Sequence, residues 1–192
     1  MQFGSDKFII TDRFAFMQPI YNCHRGFVID PSQLQKDTFD IETFFMPLYI
    51  PVTDIVRGIG WTVGGSSASW TKESVSDIVF LLKRDALPLF TKAVSDEDLL
   101  DITLEKVSFN SLHKLQSQLA LAVRLRNMQL FDKIYSEIKE KLYVDHYDWH
   151  RDILQRIEFI KENLLHYDLL MKYFDKCREE NIQVLGIKDF VN

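Results

Sequence analysis

Apolar positions along this chain change their spacing near residue 70. Before it they come in short runs broken by turn residues. Arg13 to Met17 alternates, with Phe14 and Phe16 on one face. Gly26 to Asp30 is a short aromatic and β-branched run stopped by Pro31, and Ile41 to Ile50 is another, interrupted at Pro47 and stopped by Pro51. Such residues fit a pleated, half-buried surface, and proline ends a strand or confines it to an edge. These segments predict three to five antiparallel strands. Gly58 to Trp70 (GIGWTVGGSSASW) begins as a short strand and becomes a Gly/Ser loop.

After residue 70 the apolar spacing is three and four. Val75, Ile78, Val79 and Leu82 share one face of a helix that starts near Thr71, and Pro88 kinks or ends it because it lacks an N–H and clashes with the preceding turn. Ser95 with Asp98 resembles a capping box and opens a helix carrying Leu99, Leu100 and Leu104. Asn110 or Ser111 then caps a helix with Leu112, Leu115, Leu119 and Ala122, which Asn127 breaks. Phe131, Ile134, Ile138 and Leu142 mark the next helix, and Ile153, Ile157, Ile160 and Leu164 the one after VDHYDWH. The chain turns around His166 to Asp168, and Leu170, Met171, Phe174 and Cys177 form the last stripe. Four amphipathic helices with short connections make two antiparallel helical hairpins. The second hairpin does not repeat the sequence of the first.

The distribution of helix breakers sharpens this division. All five prolines lie before residue 89 and six of the seven glycines before residue 66, so the stretch between Leu89 and Leu185 holds neither. In a helix interior glycine costs roughly 1 kcal/mol and proline roughly 3. Eight of the fifteen phenylalanines, by contrast, precede residue 46. The fold class expected is therefore α+β. An N-terminal antiparallel β-sheet, residues 1–70, packs against a C-terminal all-helical part, residues 71–192, as one continuous domain of two layers. The sheet is expected to bury one face against the Val75 to Leu82 helix.

Composition sets the class of partner. The chain has 192 residues, 46% apolar and 27% charged, which is ordinary for a globular protein and unlike a disordered one. Its 23 basic and 28 acidic side chains leave a formal charge of -5, which argues against free nucleic acid as a ligand. Cys23 and Cys177 lie far apart in sequence and fit two reduced thiols better than a secreted disulfide framework. The most apolar window, Phe44 to Val56, contains two prolines and Asp54 and falls short of the ~20 residues a membrane helix needs. No secretory or lipidation signal is read. The expectation is a soluble, cytoplasmic protein that does not engage a membrane.

Few residues suggest chemistry. His146 and His150, four apart in DHYDWHRD, could share a zinc ion on one helix face. The metalloprotease pattern needs Glu after the first histidine, where this chain has Tyr147, and Asp145, Asp148 and Asp152 are already explained by a helix start that favours acids. The same stretch is rich in aromatic residues. Tyr143, His146, Tyr147, Trp149 and His150 are therefore the candidate partner-binding residues, because tyrosine and tryptophan carry much of the energy of protein interfaces. The competing reading is that Trp149 plugs the gap between the two hairpins. Gly58, Gly60, Gly64 and Gly65 lack the spacing of a dinucleotide fingerprint, and no GK[ST] follows. Cys23, His24 and Arg25 are adjacent, and adjacent residues of a strand point to opposite faces, so Cys23 and His24 would meet as nucleophile and base only if a turn bends the chain there.

The stretch from Phe27 to Trp70 resembles uncharacterised bacterial proteins. The resemblance rests on Phe44 to Pro51 (FFMPLYIP), which has the form F-x-x-P-L-Y-x-P, on Gly58, on the Gly64 to Ser69 loop and on Trp70, with Phe27 to Asp30 as the preceding strand. It implies a bacterial origin and carries no chemistry over.

The function expected from all this is a non-catalytic protein-binding module, of the kind found in bacterial defence or toxin-neutralising (immunity-type) systems. Its partner would be a protein, and the acidic balance suits a basic one. No catalytic residue, metal site or cofactor is assigned. One alternative is a metal-dependent hydrolase or nuclease using His146 and His150. Another is a structural subunit of a larger assembly, with exposed aromatics of the first 50 residues on a neighbouring chain. The oligomeric state is left open.

Overall fold

The computed structural model describes residues 8–11, 13–31, 37–53, 59–64, 67–106, 111–144 and 148–191. Five antiparallel strands come first: β1 (Phe8–Thr11), β2 (Phe14–Met17), β3 (Cys23–Pro31), β4 (Thr38–Pro47) and β5 (Ala68–Ser69). They lie in the sheet in sequence order, each beside its predecessor. Three of them match the alternating and aromatic runs of the sequence. β1 does not, because Phe8, Ile9 and Ile10 form an apolar triplet without alternation. Its pairing partner is what makes it a strand, with Phe8 opposite Met17 and Ile10 opposite Ala15.

Segment 59–63 lies along the far edge of β4. Ile59 bridges Phe45 and Thr62 bridges Glu42, and the Thr43 hydroxyl both donates to Trp61 O and accepts from Trp61 N, at 3.0 Å each. Gly60 permits this approach, since a Cβ there would sit 1.9 Å from Thr43 O. Gly26 does the same between β2 and β3, where a Cβ would sit 2.1 Å from Ala15 O.

The helical part begins at Thr71, whose hydroxyl caps α1 (Lys72–Leu81) by accepting from Ser74 N at 3.2 Å. Pro88 does not end this helix. A π turn, Leu82–Ala86, intervenes and the chain continues as α2 (Leu87–Lys92), with helical backbone throughout. A π turn widens the backbone by one residue, which gives the proline ring room and places it in the first turn of α2, where its missing N–H costs nothing.

Ser95 caps α3 (Asp96–Glu105) as expected, its hydroxyl accepting from Asp98 N at 3.1 Å. Then come α4 (Ser111–Arg124), α5 (Met128–Val144), α6 (Asp148–Glu162) and α7 (Tyr167–Val184), and a 3-10 turn at Lys188–Phe190. Leu104 departs from the expected α3 stripe and is 51% exposed. The stripes of α5 (Phe131, Ile134, Ile138, Leu142) are buried throughout.

The sheet packs on helices with one face and on the end of the chain with the other. Phe39, Ile41 and Phe45 share one buried cluster with Ile78 and Phe90 of the first helices and with Leu119, Phe131, Ile157 and Phe174 of the hairpins. Phe16, Phe44, Met46 and Leu48 pack on Ile182 and Ile187. The C-terminal segment is tied there by Ile20 N donating to Phe190 O at 2.7 Å and by a parallel bridge between Ile20 and Val191. Asn181, buried, clamps the β4 exit by donating to Leu48 O and Ile50 O and accepting from Val52 N. The sequence pattern anticipated the first of these two faces and not the second.

Candidate functional site

An apolar opening lies between the sheet and α1. Ala15, Phe27, Ile29 and Ile41 form its floor, and Val75, Ile78 and Val79 of α1 with Leu82 of the π turn its wall. It is a cleft of about 260 Å³. An apolar cavity of ~150 Å³ already takes up a benzene-sized group, so this one has room for one or two large side chains.

Its origin can be traced to two local choices. α1 and the start of the π turn are apolar on more than one stripe: Val75, Ile78, Val79, Phe80, Leu81 and Leu82 fall within eight residues. Only Ile78 and Leu82 are fully buried, so Val75 and Val79 overhang the sheet without sealing it. Opposite them the floor includes Ala15, which contributes a single methyl between Ile10 and Phe27 in register.

The rim is apolar as well. Ile10 is 79% exposed, Trp70 52% and Val75 40%. The Trp70 ring is held by stacking on Phe39, with centroids 3.9 Å apart. Arg13, in the turn between β1 and β2, is the one ionisable residue among the described residues that line the cleft. Its guanidinium stands 3.8 Å from the Asp30 carboxylate, with both side chains substantially exposed, a geometry that leaves most of its charge available to solvent and ligands.

The opposite end of the same sheet–helix seam is polar and closed. Asp96, the first residue of α3, accepts from the Tyr49 hydroxyl at 2.6 Å and from Arg124 Nε at 2.7 Å. The Arg124 guanidinium lies 4.0 Å from the centre of the Tyr49 ring, and Tyr167 donates to Arg124 O at 2.8 Å. Burial, followed by the Asp96 carboxylate it donates to, holds the Tyr49 hydroxyl protonated well above its usual range. Each group here satisfies another, so the cluster ties β4's exit, α3, α4 and α7 together.

The adjacent trio of β3 divides between the two sheet faces, as expected for a strand. Cys23 is a buried free thiol on the helix-facing side, where burial pushes it up to about 12. Arg25, also buried, donates to the backbone carbonyls of Phe90, Pro19 and Cys23. His24 sits on the other face between the rings of Phe16 and Phe44, at centroid distances of 4.9 and 5.2 Å. Neither of its ring nitrogens has a hydrogen-bond partner among the described residues. Burial, and then the Arg25 charge, pushes the imidazole down to about 4. Cys177 is likewise a buried free thiol.

The residues singled out at the α5–α6 connection are brought together only in part. Tyr143, near the end of α5, is 84% exposed. Trp149 and His150 open α6 with their rings in edge-to-face contact at 4.1 Å, Trp149 half exposed and His150 buried. His146 and Tyr147 lie outside the described residues. Among the described residues, no group of three His, Cys, Asp or Glu side chains is placed to hold a metal ion, and no helix is long and apolar enough to cross a membrane.

The glycine-rich stretch is used structurally where it is described. Gly64 takes a positive φ of 79° in the approach to β5, and the hydroxyl at the α1 N-terminus is spent on its own helix. Gly58, Gly65 and Ser66 lie outside the described residues.

No family model matches this chain, and neither the curated proteins nor the solved structures contain a match to it. The cleft itself was not read from the sequence. Its residues come from four separate segments, and the available signal was the surplus of apolar residues on α1 together with the unguarded Phe8–Ile10 triplet.

Proposed function

We propose that this protein is a non-catalytic protein-binding module whose contact surface is the apolar cleft between the sheet and α1. The observation that carries the reading is the exposure of Ile10, Trp70 and Val75 around an opening with an apolar floor and wall. Contiguous exposed apolar surface of this kind marks interaction sites in proteins that otherwise keep such residues inside. A partner would seat a large apolar side chain in the opening, with rigid aromatic contact from Trp70 and orientation from Arg13.

The test is quantitative capture with paired baits from the native host. The wild-type chain should recover one partner near one-to-one. Val75→Glu, at a rim position 40% exposed, should lose it with an unchanged circular dichroism spectrum. Equal recovery by the two baits would sink the reading. A toxin-neutralising role is the case in which the recovered partner is toxic when expressed without this chain.

A further inference from the structure

The second face of the sheet, away from the cleft, hides an unsatisfied imidazole under the end of the chain. His24 is wholly buried, and neither ring nitrogen has a hydrogen-bond partner among the described residues. Burying a polar group in this way costs free energy that no contact there returns. His24 pairs with Met46 in register, and Gly26 pairs with Phe16 and Phe44, so these side chains share one face. Ile182 and Ile187 are buried against that face, with Leu185, Phe190 and Val191 packed beside them. The Phe190 ring lies 5.6 Å from that of Phe16, which in turn lies 4.9 Å from the imidazole.

This cover has a fixed part and a hinged part. α7 is fixed by Asn181, which bonds to Leu48 O, Ile50 O and Val52 N. Gly186 follows the end of α7 with a φ of 65°. Its N–H donates to Gln183 O and that of Ile187 to Ile182 O, both at 3.1 Å, the helix-closing geometry that glycine favours. A Cβ at Gly186 would meet nothing within 4 Å. Beyond it, residues 187–191 are tied to the sheet part by Ile20 N donating to Phe190 O and by the bridge between Ile20 and Val191. Phe16 and Phe44 belong to strands with a hydrogen-bonded neighbour on each side. Among the described residues, the lightly tied segment is therefore the least costly one to move.

We propose that residues 187–191 form a strap that swings off the sheet at Gly186 when His24 takes up a proton, uncovering Phe16, Phe44 and Met46. The strap and the cleft lie on opposite faces, so this inference stands apart from the binding-module reading. The charges around His24 set its direction. β1 and β2 bring no titratable side chain to this face. β4 brings Asp40 and Glu42 further along the ladder, opposite Asp30 and Val28. The neighbouring loop brings Tyr21, whose ring lies 5.8 Å from the Arg25 guanidinium and whose carbonyl accepts from Arg178 of α7. The hydroxyl of Tyr49, after β4, is held by Asp96. Glu179 and Glu180 of α7 and Lys188 and Asp189 of the strap are exposed. The charge that acts on the imidazole is that of Arg25, and it adds to burial in opposing a second cation.

With the strap closed, His24 titrates at about 4. Once water reaches it, the ordinary imidazole value of ~6.5 returns. The open form then binds a proton that the closed form refuses, so opening is favoured as pH falls below 6.5. Between pH 7 and pH 5 the opening constant should rise about 20-fold.

Amide hydrogen exchange of the full chain, read by NMR and divided by the intrinsic exchange rate at each pH, tests the strap. The Ile20 amide, protected through Phe190 O, should show that ~20-fold rise. Amides of the β3–β4 ladder should open less often than Ile20 at both pH values, because the sheet stays intact. His24→Phe should abolish the rise at Ile20. Gly186→Ala strains a positive φ without meeting a neighbour, so it should open Ile20 more often at pH 7 and keep the acid response. An Ile20 opening constant that is the same at pH 7 and pH 5 overturns the proposal. So does one equal to that of the ladder, which would mean that the whole sheet opens at once, and so does an undiminished rise in His24→Phe. Should His24→Phe fail to fold, the wild-type and Gly186→Ala profiles decide alone, and a flat response in both rejects the strap.

Discussion

The two ends of the seam between sheet and helices use opposite chemistry. At the Tyr49 end, a carboxylate, a guanidinium, two hydroxyls and an aromatic ring satisfy one another, and little of the cluster is exposed. At the α1 end, side chains that apart from Arg13 and Trp70 have nothing to donate or accept surround an opening of about 260 Å³. Buried polar groups are costly unless paired, so a closed polar cluster has a single low-energy arrangement and fixes how the layers meet. Exposed apolar surface gains free energy from anything apolar that covers it. The first end therefore holds the fold, and the second leaves apolar side chains open to solvent. Substitutions at the two ends should divide the same way, one end moving stability and the other association.

The largest effect is expected at Asp96. Asp96→Ala takes the acceptor from the Tyr49 hydroxyl and the nearer carboxylate from the Arg124 guanidinium, which keeps Asp175 at 3.9 Å, in a region where Tyr49 and Arg124 are wholly or mostly buried. Removing one partner of such a pair costs about 3–5 kcal/mol, a large share of the ~5–15 kcal/mol that holds a typical domain together. Urea unfolding measures it. The Asp96→Ala, Arg124→Ala double variant should lose clearly less than the sum of the two single losses, because each single variant already abandons the shared contact. A loss at Asp96 under about 1 kcal/mol would mean that apolar packing alone sets the seam, and the contrast between its ends would disappear.

Next in size is a pH effect from the closed interior. His24 and His113 are buried, and burial, followed by Arg25 in one case and Arg156 in the other, pushes each imidazole down to about 4. The unfolded chain binds a proton at each near pH 6.5 and the folded chain does not, so stability rises with pH across that interval. The contribution is complete above pH 6.5 and is lost progressively as pH falls toward 4. Each histidine should cost about 2 kcal/mol by pH 5, at ~1.4 kcal/mol per pH unit. His24→Phe keeps an aromatic ring between Phe16 and Phe44 and removes the titration. It should match the wild type at pH 7 and lose roughly half as much stability on acidification to pH 5. An acid sensitivity equal to the wild type's would place the responsible groups elsewhere.

The local elements were more legible in the sequence than either end of the seam, for a physical reason. Helix stripes, caps and strand runs depend on residues a few positions apart, and the Thr71 and Ser95 caps and the buried stripe of α5 followed from such spacing. Pro88 marked an irregularity correctly, but its consequence depended on the backbone's freedom to insert a π turn, which proline alone does not reveal. The cleft depends on residues from β1 to β4, the approach to α1 and α1 itself, so no local period announces it. Covering the second sheet face by Ile182, Ile187 and Phe190 required the chain to return over a long separation. Local pattern carries no information about that return. The aromatic residues at the α5–α6 connection were conspicuous by composition alone; of them Trp149 and His150 meet edge to face, and His146 and Tyr147 lie outside the described residues.

That connection supplies the smallest expected effect and the finest test of where association occurs. Tyr143 is 84% exposed, so Tyr143→Ala should leave stability within about 0.5 kcal/mol of the wild type. If the contact surface is the cleft, this variant should also capture the same partner at the same ratio, while Val75→Glu, another exposed side chain, loses it. Both changes alter one exposed residue on a helix and neither opens a cavity, so a difference between them reports location and not folding. Loss of the partner with Tyr143→Ala and its retention with Val75→Glu would move the interface from the sheet to the helical hairpins. The open apolar end of the seam would then be surplus surface, and Ile10, Trp70 and Val75 would be exposed without use.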